Sequence, residues 1–127
     1  MTPGVISKRV VGDRLSWINF MVSEIRALPL GDRETFLSDR RNVWAAESCL
    51  RRALEGLFDL GRHILARGFG LGVSEYKEIA QALVRVGVLD RGSGALLRKL
   101  AGYRNRLVHF YQSLWPGAVR NLYPAVG

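Results

Sequence analysis

The chain of 127 residues contains one cysteine, Cys49, so no internal disulfide can form. A reducing compartment is the simple reading of such cysteine usage. No run free of charged residues approaches the ~20 apolar residues that cross a bilayer. Lys8, Arg9, Asp13 and Arg14 interrupt the segment where a signal peptide would place its apolar stretch. A cytoplasmic protein with no membrane partner is expected. No stretch alternates apolar and polar residues with a period of two, so strands are not expected. Internal repeats, low-complexity tracts and interdomain linkers are missing too, and the length suits one core rather than two. The sequence is read as a single domain over residues 1–127. Gly68-Phe69-Gly70-Leu71-Gly72 lacks the Gly-Lys-Ser/Thr of a phosphate loop and follows no strand, so it reads as a helix stop and turn. No cluster has metal-ligand spacing, and no nucleophile–base–acid triad is in view. Neither a metal nor a cofactor is expected.

Acidic residues are also scarce, at 11 against 19 basic ones, which gives a formal net charge of +8. Of the basic residues 16 are arginine, whose planar fork matches phosphate. A domain of this charge attracts polyanions or an acidic partner. Hydrophobic residues make up 48% and charged residues 24%, ordinary for a globular protein.

What is present is helical periodicity. Val11, Leu15, Ile18, Val22 and Ile25 step by four and three, which predicts a helix from about residue 8 to 28. Pro29-Leu30-Gly31 ends it, and Asp32 can cap a short turn through Phe36 and Leu37. A long helix is predicted over about 39–67. Val43, Leu50, Leu57 and Ile64 fall on one heptad position, and Ala46, Ala53 and Leu60 on the other. Arg40, Arg41, Arg51, Arg52, Arg62 and Arg67 lie off this seam, singly solvated and as a set able to guide a polyanion. Ser74 is placed as the cap of a helix through about Val86, with Tyr76, Ile79, Leu83 and Val86 inward and Gly87 as its stop. Asp90 or Ser93 starts the next helix. Trp115-Pro116 is expected to break it before a short last helix to Tyr123. The fold class is therefore all-α, an up-and-down bundle of four to five helices.

Near the end of that fifth segment, Tyr103-Arg104-Asn105-Arg106-Leu107-Val108-His109-Phe110-Tyr111 concentrates chemistry. Leu96, Leu100, Tyr103, Leu107 and Phe110 form one apolar stripe, expected to face the core. At about 100° per residue, Arg104 and Tyr111 share a second face with Leu97, Ala101 and Val108, expected to be a two-fold contact surface. Asn105 and His109 share a third. Asp59 and His63, one turn apart on the long helix, read as a local hydrogen-bonded pair rather than a metal site, and Glu47 and Arg51 have the spacing of an ion pair. Trp17, Trp44 and Trp115 read as core or interface residues.

The string R-N-x3-H-x-Y, formed by Arg104, Asn105, His109 and Tyr111, resembles the signature of the HEPN superfamily. Its x-Y extension resembles the HepT-like toxins within it, and the resemblance covers about residues 8–123. It implies a ribonuclease that acts as a homodimer with a composite site. His109 would be general acid–base, since a histidine ordinarily titrates near 6.5. Arg104 would hold the phosphate, and Asn105 would orient His109 or a phosphate oxygen. Arg106 and Trp115 are candidate RNA contacts. RNA brings its own nucleophile, the 2′-hydroxyl, so metal-independent cleavage suits these groups. The resemblance further implies a type VII toxin–antitoxin pair. Its partner would be an MntA-like minimal nucleotidyltransferase antitoxin that adenylylates Tyr111. Two other readings compete: a non-catalytic HEPN module serving as binding subunit of a nucleotidyltransferase, and a basic helical adaptor that binds nucleic acid without chemistry.

Overall fold

A computed structural model describes the backbone of residues 4–122 and the side chains of residues 4–106. It is an all-α bundle of five helices: α1 (Lys8–Arg26), α2 (Arg33–Ser38), α3 (Arg40–Phe69), α4 (Tyr76–Arg85) and α5 (Arg91–Leu122). Each start has a local cause. The Ser7 hydroxyl accepts the Val10 amide at α1, and Asp32 accepts the Glu34 amide at α2. Asp39 lies between α2 and α3, extended at φ −122°, and accepts the Arg41 amide. Asp90 accepts the Ser93 amide at 2.6 Å and so begins α5. At α4 the capping position is Glu75 and carries no side-chain hydrogen bond, so the cap expected from Ser74 is not the one used. The Ser74 carbonyl instead accepts Arg62.

These carboxylate caps titrate low. The Thr35 hydroxyl holds Asp32 below the usual carboxylate range, the Arg41 guanidinium does the same for Asp39, and the Ser93 amide for Asp90. Because folding lowers each pKa, each cap stabilises the fold above the ordinary carboxylate range. That contribution is lost as pH falls through the folded value.

Helix α3 is the hub, touching α1, α2, α4 and α5. On one side α1 runs antiparallel to it. Ile6 lies by Gly68, Arg14 pairs with Asp59, and Trp17 and Ile18 pack over Gly56. On the other side Phe58 and Leu65 meet Ile79, Ala80, Ala82 and Leu83 of α4 and Leu97 and Ala101 of α5. A helix gripped from two sides buries more than one stripe. This is why Leu54, Phe58 and Leu65, off the heptad seam, are among its most buried residues, while Leu50 on the seam is 38% exposed. Helix α3 ends at Gly70, in the left-handed region at φ +66°, with the Leu71 amide returned to the Leu65 carbonyl.

Helix α5 departs from expectation twice. It continues through Pro116 to Leu122. A proline lacks one amide donor, and the ladder on either side carries the helix past it. Tyr123, the expected end of a separate last helix, lies outside the described residues. The faces of α5 are also largely exchanged, although Leu100, expected in the core, is half-buried and packs against it. Leu97 (7%) and Ala101 (0%), expected at a subunit contact, are buried in the protomer's own core. Leu96 (59%) and Tyr103 (52%), expected in the core, are exposed. Volume decides the choice. A Cβ on Gly94 would collide with the Val84 side chain, so α5 approaches α4 through its small residues, and the bulkier Leu96 and Tyr103 stay outside. The side chains of Leu107, Val108 and Phe110 lie outside the described residues.

Two outcomes follow for stability. Gly94→Ala is expected to lower unfolding free energy by about 1–3 kcal/mol, the usual cost of overpacking, read from the chemical denaturation midpoint. Leu97→Glu is expected to cost on the order of 3–5 kcal/mol through an unpaired buried charge. Leu96→Glu should stay within about 0.5 kcal/mol for the isolated protomer. Equal losses for the two leucines would overturn the assignment of faces.

Candidate active site

The residues that carry the motif lie on about the fourth to sixth turns of α5. Arg104 follows Ala101 by one helical step on the buried face and so arrives at the edge of the core rather than in open solvent. Its side chain is 26% exposed. The guanidinium carbon sits 4.8 Å from the centre of the Tyr76 ring, within cation–π range. One Nη lies 3.6 Å from the Glu55 carboxylate, and Nε is buried with no hydrogen-bond partner. Arg104 is thus held by stacking and an ion pair, while its donors remain largely unspent.

The support beneath it is built from three helices. Tyr76, the first residue of α4, stacks on Phe58 of α3 at 4.5 Å and 11°. Phe58 is fully buried. The ring therefore continues the core outward and offers a π surface at its edge. Arg62 also lies over this ring, at 5.8 Å. Its Nη groups bind Asp59 at 3.0 Å and the Ser74 carbonyl at 3.2 Å. Glu55 lies between two arginines, since Arg51 approaches the same Oε1 at 3.4 Å. Arg51 thus pairs forward along α3 to Glu55.

Asn105 is exposed, next to Arg104 and outside the core face. Arg106 is exposed and lies with its guanidinium carbon 4.6 Å over the Tyr103 ring. His109, Tyr111 and Trp115 belong to α5, and their side chains lie outside the described residues. On a continuous helix His109 stands about 40° around from Asn105, and Tyr111 returns to within about 20° of Arg104, roughly 10 Å further along the axis.

The Asp59 and His63 expectation is corrected. Asp59 engages Arg62 and, at 3.5 Å, Arg14 of α1. His63 Nε2 is buried without a hydrogen-bond partner. The arginines win because two guanidinium groups offer Asp59 more charge-assisted donors than one imidazole. Trp17 is 40% exposed beside Phe20, at 6.5 Å between ring centres, and packs over Gly56. Among the described residues, no three His, Cys, Asp or Glu side chains gather as a metal site, and no helix is long and apolar enough to cross a membrane.

Glu55, Tyr76 and Arg51 were not singled out by the motif. Glu55 precedes Arg104 by almost fifty positions, so no local spacing rule joins them. A ring predicted inward at Tyr76 was the one available hint.

Comparison with curated proteins and with solved structures finds no match. The family described as Ribonuclease HepT-like matches residues 21–123, most of the chain and all of the motif. By this match and by its five-helix fold, the chain belongs to the Ribonuclease HepT-like family.

Proposed function

We propose that this protein is a metal-independent endoribonuclease, the toxin of a toxin–antitoxin pair, with Arg104, Asn105 and His109 as its catalytic set. The observation that carries this reading is the state of Arg104. A guanidinium at the core edge, oriented by a ring and by a carboxylate no nearer than 3.6 Å, and with 26% of its side chain open to solvent, keeps Nη donors for an anion. A purely structural arginine at such a site would ordinarily spend its donors on carbonyls or carboxylates.

The chemistry needs little else. A base removes the proton of the RNA 2′-hydroxyl, and that oxygen attacks the adjacent phosphorus. The bond to the 5′-oxygen breaks, and the leaving oxygen takes a proton. The products are a 2′,3′-cyclic phosphate and a 5′-hydroxyl. His109 moves the protons, Arg104 stabilises charge on the phosphoryl oxygens, and Asn105, exposed on the His109 side of the helix, orients the imidazole or a phosphate oxygen. Arg106 and Trp115 contact flanking RNA.

One chain provides one histidine, whereas concerted transfer uses both a base and an acid. A second copy would supply the other. The exposed Leu96 and Tyr103 stripe of α5 supports a two-fold contact there, in place of the Leu97 and Ala101 face that the core consumes.

The partner in this reading is an MntA-like minimal nucleotidyltransferase. The Tyr111 hydroxyl attacks the α-phosphorus of ATP, pyrophosphate leaves, and a tyrosyl-AMP phosphodiester remains. That phosphodiester would lie on the Arg104 side of α5 and compete with RNA for the guanidinium.

Two experiments test this. His109→Ala should lower cleavage by about 10²–10⁴-fold with helicity unchanged, and Arg104→Lys should stay impaired because the fork is lost. Cleavage should persist in chelator and leave cyclic phosphate ends, and a fully active His109→Ala protein would falsify the assignment. Tyr111→Phe should still cleave RNA but escape silencing when co-expressed with the nucleotidyltransferase. Peptide mass mapping that finds AMP on another residue would remove Tyr111 from this role.

A further inference from the structure

Glu55 is the one carboxylate among the described contacts of Arg104, and it sits where an anion would be drawn. Its Oε1 is 3.6 Å from Arg104 Nη2 and 3.4 Å from Arg51 Nη1. Both separations exceed the 2.7–2.9 Å typical of a charge-assisted hydrogen bond. All three side chains keep about a third of their surface or somewhat less in solvent, at 26%, 35% and 34% for Arg104, Glu55 and Arg51. The pairing is therefore loose and reachable from outside. Its charges sum to one net positive, the complement of one phosphodiester. Arg104 is meanwhile kept from swinging away by the Tyr76 ring, itself fixed on the fully buried Phe58.

We infer that Glu55 is a positioning residue that stands in for the RNA phosphate, and that Arg51 is a second phosphate-binding arginine of the same site. In the free protein the carboxylate holds the two guanidinium groups at one place. When RNA arrives, the phosphate takes its share of both forks and Glu55 remains behind them as a fixed negative wall, aiming Arg104 at the phosphoryl oxygens. This inference rests on the ribonuclease reading and adds two residues from α3 to it. The wall has opposite effects on two steps. It repels the RNA phosphate in the ground state, and it keeps Arg104 aligned in the transition state. Removing its charge should then tighten binding and slow turnover, a split that simple loss of structure does not produce.

The test uses the full chain, with Glu55→Gln and Arg51→Ala beside wild type. Binding is read with a 2′-O-methyl RNA that cannot be cut, and turnover with the unmodified RNA. Thermal melting controls for folding. Glu55→Gln is expected to bind the 2′-O-methyl RNA about two- to fivefold more tightly, the range of a partly exposed charge interaction. Its kcat should fall on the order of tenfold from misalignment of Arg104. Arg51→Ala should bind more weakly, with the slope of log affinity against log salt reduced by about one phosphate contact. Should Glu55→Gln melt early, Glu55→Asp keeps the charge but withdraws it by a methylene, and should shift both quantities the same way by smaller factors. Unchanged binding and turnover in Glu55→Gln, or weaker binding together with slower turnover, overturns the role of Glu55. An unaltered salt slope in Arg51→Ala overturns that of Arg51. A wild-type protein that binds RNA but cuts none under any condition overturns the ribonuclease reading itself, and this inference with it.

Discussion

Where Gly94 meets Val84 and Ala101 meets the floor of the core, α5 has no freedom to roll about its own axis. Packed interiors leave few voids, and a helix seated on its smallest residues can lie closer than any neighbouring rotation would permit. That single contact settles the direction of everything further along. It carries Arg104 to the rim of the core and leaves Asn105 and Arg106 in solvent. The candidate site depends on this seat more than on any bond within it.

The second support is a ring that belongs to two places at once. Tyr76 is stacked on Phe58, which is wholly buried, and so inherits the rigidity of the core. Its other interactions are with cations at the surface, Arg62 and Arg104. A guanidinium is planar and weakly hydrated, so it can lie on such a ring where an ammonium would prefer water. Placement of the arginine is thereby bound to the packing of α3 against α4, and the carboxylate at Glu55 adds a lateral restraint from the same long helix.

Much of this could be read from residue order. Four of the five helices follow from steps of four and three, and Asp32 and Asp90 cap helices where they were expected to start them. The motif from Arg104 onward was visible as a string, and it coincides with the family to which the chain belongs. What could not be read was orientation. Helix α5 carries two apolar stripes, and Leu96, Leu100 and Tyr103 make the heavier one. Counting hydrophobic groups favours that stripe, whereas close approach favours Leu97, Ala101 and Gly94. Periodicity measures the spacing of apolar groups and is blind to how near two helices can come. The companions of Arg104 were hidden for a related reason, since Glu55 and Tyr76 reach it only through the tertiary arrangement of α3 and α4. Pro116 misled as well, because one missing amide is a smaller loss than the breaking of a long helix.

Among the described residues three guanidinium groups rest on aromatic rings, Arg62 and Arg104 on Tyr76 and Arg106 on Tyr103. They belong to a basic complement in which 16 of 19 groups are arginine. A guanidinium does not give up its proton in any ordinary buffer, so this positive field is the same in mild acid and in alkali. Dissolved ions, in contrast, damp it over a Debye length of about 8 Å at physiological strength. Acidity and salt therefore enter the molecule through different groups, and meet only where Arg41 holds the Asp39 cap. Protons reach the carboxylate caps of α2, α3 and α5, and with them the stability of the fold. Salt reaches the arginines, and with them the pull exerted on a passing polyanion.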